Sequence, residues 1–577
     1  MTVYSFDTIT AAQALAVTTD DRIDVPVGTA SQTTVLFNAD GTISVVVGAR
    51  TVVFGASLNQ TAGTGHLAFA DGSQLYLGTS GANARDFGLT MPGFGAIYAG
   101  DGDDMFTTGA GPWLFQGNQG NDQVIANLAW ANTIYGGQGN DFLQVSGVLG
   151  PVDGQFLQGN KGDDNLIGAS GQDTLLGGQG NDTVLGNNGV DFINGNLGND
   201  NLSGMGQLFG EDGTDSIFAG TSAPSTVHGG EGDDSIGASA LSTANGLVGA
   251  RTMLFGDGGN DTLTSLSPEH DELFGGAGDD SLRSTSASTT NGDLFDGGDG
   301  NDSVSARAAD DTLSGGTGDD SLAGDEGNNR VTGGDGNDYL SQQNTHGDNM
   351  LDGGEGNDTL LASVGRDTLI GGGGNDRLFD VGGADGNLLN GGAGDDTLGL
   401  GLSTGVGTSS LLGGDGNDLI DVVGADSRQV IDGGAGVDSI RGTRSGDTIS
   451  GGLGDDTIDT AGGSDILTGG GGVDRFIFLM DRGGVPGPGT APQIRDWGSD
   501  DLIQFRDHPT GLYIEVTAPD FASSITAAQT QLANNTNAVV AVQVAGDVVV
   551  FYGGPSIGSS VVLVGRSLAD VSGDNFA

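Results

Sequence analysis

Twenty aspartates recur in one sequence setting, the sixth position of G-G-x-G-x-D or of a slightly altered copy of it. Glycines at positions one, two and four permit positive φ, so the turn can aim several carbonyl oxygens at one point. The aspartate adds a hard anionic oxygen. Calcium takes about six to eight oxygen ligands in flexible geometry, whereas zinc prefers nitrogen or sulfur. The chain has no cysteine and five scattered histidines, so the motif predicts calcium sites.

The residues around each aspartate indicate how the motif is held. An apolar side chain stands two residues after each aspartate, as at Phe106 and Leu340, and another stands two residues before each motif, as at Ile134 and Leu467. Apolar residues at period two on both sides of a turn predict strand, turn and strand. The twenty aspartates are Asp104, Asp122, Asp141, Asp164, Asp182, Asp200, Asp215, Asp234, Asp261, Asp280, Asp302, Asp320, Asp338, Asp358, Asp376, Asp396, Asp418, Asp438, Asp456 and Asp474.

The spacing of the aspartates predicts coils of about 18 residues. Successive aspartates are mostly 18 to 20 residues apart, with extremes of 15 after Asp200 and 27 after Asp234. A second turn falls nine residues on, and it is less regular. Good or recognisable copies end at Asp173, Asp191, Asp447 and Asp465, whereas eroded ones end at Asp311, Asn329 and Asp367. We therefore expect an all-β solenoid with one regular edge and one variable edge, since insertions in repeat arrays collect on one face.

These residues resemble the RTX calcium-binding repeat proteins, whose nonapeptide G-G-x-G-x-D-x-U-x forms a parallel β-roll. The resemblance covers roughly two-thirds of the chain. It implies that each ion lies between two stacked turns. One turn supplies the carbonyls of positions two and four with its aspartate, and the next supplies those of positions one and three with its own. One site would thus use Gly452, Gly454 and Asp456 with Gly469, Gly471 and Asp474.

The same resemblance implies further glycine carbonyl ligands along the array. It also implies calcium sites on both edges where the nine-residue spacing is strict. The implied glycines are Gly178, Gly180, Gly276, Gly278, Gly298, Gly300, Gly316, Gly318, Gly334, Gly336, Gly354, Gly356, Gly372, Gly374, Gly392, Gly394, Gly414, Gly416, Gly434 and Gly436.

Charge favours the calcium interpretation. Lysine and arginine number 18 against 76 acidic residues, a formal balance of −58. Nucleic acid and anionic membranes are poor partners for such a chain. About 19 calcium ions between twenty turns would reduce the charge to about −20. Because stacked aspartates repel one another, we expect folding to depend on calcium. A disordered Gly/Asp linker is the alternative, but such a linker would not repeat apolar residues at fixed positions.

Calcium-dependent folding predicts a secreted, extracellular protein at the cell surface. Residues 1–22 lack the pattern of a Sec signal peptide, and no run of 18 apolar residues suggests a membrane span. The resemblance implies export by a type I secretion system of a Gram-negative bacterium. An uncleaved signal would then lie in the final residues, where Leu568 to Ala577 is a short acidic and apolar ending. An ordinary terminal strand or helix is the alternative.

Three domains are predicted. Residues 1–95 read as a β-rich N-terminal cap, residues 96–476 as the calcium-binding β-roll, and residues 477–577 as a C-terminal cap carrying the secretion signal. Within the caps we expect strands at Thr42 to Val47, Thr51 to Phe54, Gln74 to Leu77, Val539 to Phe551 and Val561 to Val564, and a short helix at Ser523 to Leu532.

The sequence predicts no enzyme. H-E-x-x-H is absent, and the G-x-S-x-G matches at residues 401–405 and 554–558 are expected by chance among 113 glycines. The histidines are too dispersed for a metal site, and the three tryptophans read as packing residues. They are His66, His228, His270, His346 and His508, with Trp113, Trp130 and Trp497.

Three functions remain open. The first is a calcium-stiffened structural protein that polymerises into a surface layer (S-layer), filament or extracellular matrix. The second is a monomeric adhesin or ligand-binding exoprotein, against which we note that no aromatic cluster marks a sugar site. The third, a hydrolase or toxin that uses its repeats only for export, lacks a catalytic motif.

Overall fold

A computed structural model shows a mostly β fold that separates into two compact units, Met1–Ser286 and Ala287–Ala577. The structure describes residues 2–17, 21–38, 40, 42–55, 67–69, 71, 73–86, 95–108, 111–127, 131–146, 154–220, 223–238, 251–267, 269–285, 291–342, 347–382, 386–401, 407–425, 427–479, 491–506, 512–535, 538–553 and 557–576. The fold class predicted from the sequence, a parallel β-roll with small sheets at its ends, is confirmed.

The first unit begins with short elements around a buried cluster that includes Phe6, Ile23, Val45 and Phe54. Tyr98, from the first motif-bearing strand, completes this cluster and donates its hydroxyl hydrogen to the Thr33 carbonyl. The elements are strands Val3–Ser5, Arg22–Val25, Thr33–Phe37, Ile43–Val47, Arg50–Phe54 and Leu67–Phe69, helix Ala11–Leu15 and 3-10 helix Ala30–Gln32. Thr33–Phe37, Ile43–Val47 and Arg50–Phe54 form an antiparallel sheet.

The rest of the first unit is a parallel roll of two facing sheets. Sheet 1 contains Gln74–Leu77, Gly95–Asp101, Trp113–Gln119, Thr133–Gln138, Phe156–Lys161, Thr174–Gln179, Asp191–Leu197, Gly206–Asp212, Ser225–Glu231, Thr252–Gly258 and Glu272–Ala277. Sheet 2 contains Ala84–Asp86, Met105–Thr107, Gln123–Asn127, Phe142–Ser146, Asn165–Ile167, Thr183–Leu185, Asn201–Gly204, Ser216–Ala219, Ser235–Ala238, Thr262–Ser265 and Ser281–Ser284. We call the turns from sheet 1 to sheet 2, which carry the twenty aspartates, the first edge, and the return turns the second edge.

The second unit repeats this arrangement. Its sheet 1 contains Leu294–Asp299, Thr312–Thr317, Arg330–Asp335, Met350–Glu355, Thr368–Gly373, Leu388–Ala393, Ser410–Asp415, Val430–Ala435, Thr448–Leu453, Ile466–Gly471 and Gln493–Ile494. Its sheet 2 contains Ser303–Ser305, Ser321–Ala323, Tyr339–Ser341, Thr359–Ala362, Arg377–Asp380, Thr397–Leu400, Leu419–Asp421, Ser439–Arg441, Thr457–Asp459, Arg475–Phe478 and Leu502–Phe505.

Period-two patterning produces the core of each roll. The apolar residue two places after each aspartate points inward and stacks on its counterpart in the next coil, as Leu322, Leu340 and Leu360 do in successive registers. All three are fully buried, as is the matching sheet 1 column of Leu351, Leu369 and Leu389. Each buried leucine contributes about 1.5–3 kcal/mol, so the two columns hold the sheets together.

Coils without the motif extend both rolls. Gln74–Leu77 pairs in parallel with Gly95–Asp101, and Ala84–Asp86 pairs with Met105–Thr107. Near the other terminus, Gln493–Ile494 and Leu502–Phe505 pair in parallel with the strands of the last motif-bearing coil. The domain boundaries at residues 95 and 476 stay predictions.

A small α/β cap follows in the second unit. It consists of Tyr513–Ala518, helix Phe521–Leu532, Ala538–Val544, Asp547–Gly553 and Ile557–Leu563, followed by 3-10 helices Leu568–Asp570 and Gly573–Asn575. The predicted helix is present and starts two residues earlier, because Asp520 caps it through the Ser523 amide. The predicted strand at Val539 to Phe551 is two antiparallel strands, which turn at Ala545 with a φ of 52°.

The C-terminal residues close the last coil of the second unit. Trp497 is buried against Phe476, and its indole nitrogen donates to the Asp570 carbonyl at 3.2 Å. Both carboxylate oxygens of Asp496 accept backbone amides, from Gly469 at 2.9 Å and Gly470 at 2.8 Å. Asp496 thus supplies acceptors to amides at the end of the first edge.

Candidate calcium site

The first-edge aspartates form a side-chain ladder within each unit. Oδ1 of most of these aspartates accepts a hydrogen bond from the backbone amide of the aspartate one coil earlier, and Oδ1 of Asp104 accepts the Asn83 amide instead. Asp438 donates to Asp456 at 2.9 Å, and Asp456 donates to Asp474 at 3.1 Å. All three side chains are about 1% exposed. The ladder therefore fixes every carboxylate in the interior of the turn and leaves its second oxygen, Oδ2, for another partner.

That second oxygen is buried and has no hydrogen-bond donor among the described residues at seventeen first-edge positions. The seventeen aspartates are Asp104, Asp122, Asp141, Asp164, Asp182, Asp200, Asp215, Asp234, Asp261, Asp320, Asp338, Asp358, Asp376, Asp396, Asp418, Asp438 and Asp456. A buried carboxylate oxygen without a donor costs free energy unless a proton or a cation compensates it.

At most of these positions, a carbonyl oxygen from the next coil lies beside the carboxylate. A methyl group built on Gly451, at position one, would lie 2.4 Å from Oδ2 of Asp456 and 2.6 Å from the Gly469 carbonyl oxygen. Gly451 and Gly469 are also skipped in the strand register, which pairs Ser450 with Thr468 and then Gly452 with Gly470. The position-one carbonyl is thereby turned out of the ladder towards the carboxylate.

The three glycines of the motif serve two purposes. At positions two and four, Gly452 and Gly454 have φ of 116° and 129°, as expected. Added Cβ atoms there would also lie 1.9 and 1.7 Å from carbonyl oxygens of the preceding coil. The expectation of positive φ at position one is wrong, because the φ of Gly451 lies outside the left-handed range of about +20° to +160°. Position one is glycine because a side chain would fill the space between the carboxylate and the next carbonyl.

Position two tolerates some other residues. Asn118, Asn160, Asn196, Glu211 and Asp257 occupy it with φ between 73° and 82°. Asparagine and aspartate adopt this left-handed conformation more readily than other non-glycine residues, and Glu211 is the departure from that preference. The side chain points outward at these coils, and Oδ2 of Asp122, Asp164, Asp200, Asp215 and Asp261 stays buried without a donor among the described residues.

The carbonyl of position three is already engaged between coils. The Gly454 amide donates to the Gly471 carbonyl at 2.6 Å, and the Gly436 amide donates to the Leu453 carbonyl at 2.6 Å. A carbonyl oxygen has two lone pairs. The Gly471 carbonyl implied by the resemblance therefore has a second lone pair to offer a cation.

The second-edge aspartates fall into two classes. Oδ2 of Asp173 accepts the Ala169 amide at 2.7 Å, and Oδ2 of Asp447 accepts the Thr443 amide at 2.7 Å. By contrast, Oδ2 of Asp191 and of Asp465 is buried with no donor in the described part of the chain. Only the second class leaves Oδ2 without a donor, as the first edge does.

Sequence reasoning missed most of the second edge. Asparagine, glutamine and serine, as well as further aspartates, hold position six there and continue the same ladder, as where the Asn329 amide donates to Oδ1 of Asn349 at 2.9 Å. The sequence signal for these position-six residues was the apolar residue that stands two places after each of them. The second-edge residues missed are Asn132, Gln155, Asp271, Asp293, Asn349, Asn387, Ser409 and Gln429.

A second first-edge ladder was also missed. Position five is mostly asparagine or aspartate, and its Oδ1 accepts the position-five amide of the following coil. Asn140 donates to Asn121 at 2.7 Å, and Asn357 donates to Asn337 at 3.0 Å. This exposed ladder runs in the opposite sense to the buried one, so adjacent coils are tied in both directions.

Burial changes the acidity of the carboxylates. Desolvation is the main cause that raises the pKa of Asp141 and of Asp182 to about 8 and that of Asp456 to about 7. Neighbouring aspartates in the ladder also act to raise these pKa values, whereas the accepted amide lowers them. A positive charge bound at each site would therefore stabilise the ionised carboxylate.

The available ligands fit calcium. No cluster of three histidine, cysteine, aspartate or glutamate side chains with metal-binding geometry occurs among the described residues. The first edge instead combines carboxylate oxygens with backbone carbonyls from two coils, a mixed oxygen set that suits a hard divalent cation. Bound there, calcium would supply the charge that the orphaned Oδ2 atoms lack.

Replacing Asp456 by asparagine should lower calcium affinity in its neighbourhood. The variant keeps side-chain volume and removes the charge at the buried Oδ2. We expect a higher calcium midpoint for amide protection of residues 448–478, measured by hydrogen exchange. Asp432→Asn, an exposed change of equal charge in sheet 1, is the control. An unchanged midpoint for the Asp456 variant would argue against this site.

Without calcium, stability should fall as the pH rises from about 4 to about 8. The raised pKa values mean that the folded state binds more protons than the unfolded state across this window. Denaturant unfolding in chelator at pH 5 and pH 8 measures the difference. Greater stability at pH 8 than at pH 5 under chelation would contradict the buried-carboxylate explanation.

Comparison with known proteins agrees with this geometry. The profile of the RTX calcium-binding nonapeptide repeat (4 copies) matches residues 96–112, 131–145, 154–184, 185–207, 268–285, 289–322, 314–341, 346–378, 423–458 and 441–476. No curated protein matches the sequence significantly. The matched segments coincide with coils that carry the carboxylate ladder, so the chain contains RTX calcium-binding nonapeptide repeats that form a β-roll.

Proposed function

We propose that this chain is a secreted, non-enzymatic structural protein whose roll folds on binding extracellular calcium and then self-assembles into a surface layer, filament or matrix. The observation that carries the calcium step is the row of buried Oδ2 atoms without donors among the described residues. Each carboxylate also contacts the preceding coil through Oδ1, so calcium binding and coil stacking are coupled.

An apolar patch on the first edge supports self-assembly. In three consecutive coils of the second unit, Val437, Leu453 and Val473 are 57%, 66% and 41% exposed. Val437 and Val473 stand at position five, where most coils have asparagine or aspartate. The coil between them keeps Asp455 at position five, so the exposed apolar side chains flank one carboxylate. A group of exposed apolar side chains is typical of a protein contact surface. The occupant we propose is the same patch of a second copy, which would present the same three apolar side chains.

The described histidines favour a non-enzymatic role. Nδ1 of His228 lies 2.9 Å from Oδ2 of Asp257, and Nε2 of His270 lies 3.6 Å from Oε1 of Glu272. Both carboxylates are on strand faces of sheet 1. His66, His346, His508 and Trp130 lie outside the described residues, as do parts of both G-x-S-x-G matches.

Proteins with these repeats are typically secreted, and we propose type I export from a Gram-negative bacterium with the signal in Leu568 to Ala577. The described part of this segment forms two short 3-10 helices, and Asn575 donates to the carbonyls of Ser499 and Asp501. The described helices include none with the length and apolarity needed to cross a bilayer.

Electron microscopy of the purified chain in millimolar calcium, and then in chelator, tests the proposal. We expect ordered polymer that disappears on chelation. Leu453→Glu should abolish the polymer because it places charge in the apolar patch, while calcium-dependent folding by circular dichroism stays intact. Val27→Glu, at a 70% exposed position in the first unit, is the matched control. Polymer formed equally by both variants would exclude this patch as the contact.

A ligand-binding role is the second candidate, and one observation favours it. An aromatic cluster that the sequence did not indicate is present. Register brings Phe209, His228, Phe255 and Phe274 into one column on the outer face of sheet 1, with ring centroids 5.2, 4.5 and 4.8 Å apart. Glu211, Glu231 and Asp257 line an adjoining groove of about 650 Å³.

Saturable binding by the calcium-loaded monomer would support this second role. Phe255→Ala should then weaken binding to a glycan array at least about tenfold, because it removes the middle of the column. Phe379→Ala, on sheet 2 of the other unit, is the control. Equal signals from the two variants would assign the column to coil stacking alone.

A further inference from the structure

Asp380 is an interior carboxylate that the repeat motif does not explain. It ends the sheet 2 strand Arg377–Asp380 and begins a second-edge turn, with 1% of its surface exposed. In the sheet it pairs with Ala362 in the coil before and with Leu400 in the coil after. Regular second-edge turns have glycine at this place. An added Cβ on Gly442, for example, would lie 2.8 Å from Oδ2 of Asp447.

Asn387 connects Asp380 to a second buried carboxylate. Its amide nitrogen donates to one oxygen of Asp380, and the other oxygen accepts the Gly382 amide at 2.9 Å. The side-chain oxygen of Asn387 accepts the backbone amide of Asp367 at 2.9 Å. Asp367 and Asp380 therefore contact the same asparagine from two successive turns.

Asp367 also has a buried oxygen with no donor among the described residues. Oδ1 accepts both the backbone and the side-chain amide of Asn349, at 2.8 and 3.0 Å. Oδ2 is buried and has no donor within the described ranges, and the residue is 1% exposed. Burial is the main cause that raises the pKa of Asp380 to about 7, and the charge of Asp367 acts in the same direction, so the two carboxylates interact.

The described residues around the two aspartates do not supply the missing charge. Leu378, Leu398 and Ala362 line the interior beside the two aspartates and are at most 1% exposed. Arg366, the residue next to Asp367, turns outward to the exposed Asp348, with 3.3 Å between Nη2 and Oδ2. Two buried carboxylates in an apolar setting need a compensating cation, and an all-oxygen pair suits a hard divalent ion.

We propose that Asp367 and Asp380 together bind one calcium ion on the second edge, at a site that does not use the glycine motif. The site is separate from the first-edge array and does not depend on self-assembly. It gives a role to an aspartate in an eroded turn and to one outside any turn motif.

The effect of Asp380→Asn on the unfolding temperature tests this site, because its sign should differ between calcium and chelator. In calcium, Asp380→Asn should lower the unfolding temperature of the full chain by at least about 2 °C, because it removes a ligand. In chelator, the same change should raise that temperature, because it removes an uncompensated buried charge. Asp325→Asn, an exposed second-edge change of equal charge, should alter neither. A rise for Asp380→Asn in both conditions would mean that the carboxylates share a proton, and it would overturn the proposal.

A second measurement uses the unaltered protein. Crystals of the full chain soaked in terbium, a calcium substitute with strong anomalous scattering, should show a peak within about 2.6 Å of Oδ2 of Asp367 and of an Asp380 oxygen. The first-edge peaks serve as the internal control. Peaks along the first edge with none between Asp367 and Asp380 would refute the site even if both variants failed to fold.

Discussion

A buried carboxylate with one oxygen satisfied and the other left without a donor is the constraint on which each roll depends. Oδ1 of Asp456 is held by the Asp438 amide, so the side chain cannot turn outward to water. Oδ2 then faces Gly451 and the Gly469 carbonyl. Glycine at position one, the skipped register and the tight turn are all consequences of keeping that oxygen accessible to a cation from two successive coils.

The same constraint explains how a strongly acidic chain can form a compact core. The leucine columns supply apolar burial between the two sheets, while the ladder brings the negative charges into regular rows at one edge. Rows of like charge oppose coil stacking unless cations lie between them. Stacking and charge neutralisation are therefore one process, in which each coil completes the site of its neighbour.

The motif was enough to predict the roll, because the turn glycines and the apolar residues that follow each aspartate, such as Leu340, obey one short-range rule. It could not reveal the coil formed by Gln74–Leu77 and Ala84–Asp86, where Asn83 replaces the aspartate yet bonds to Asp104 in the same way. Position six of the second edge was hidden for a similar reason, since Asn132 and Gln155 keep the hydrogen bond and lose the charge. Contacts such as that of Asn387 with Asp380 depend on which turns stack, and spacing alone does not give that.

The opposed ladders of positions five and six have a consequence for the length of the protein. Each coil presents to its successor the same donors and acceptors that it received from its predecessor. A whole coil can therefore be deleted or duplicated without leaving an unmatched amide, whereas a cut within a coil leaves one at each side. Gene-level gain or loss of repeats then changes the number of coils at little structural cost, and selection can tune the length of such an array independently of its ends.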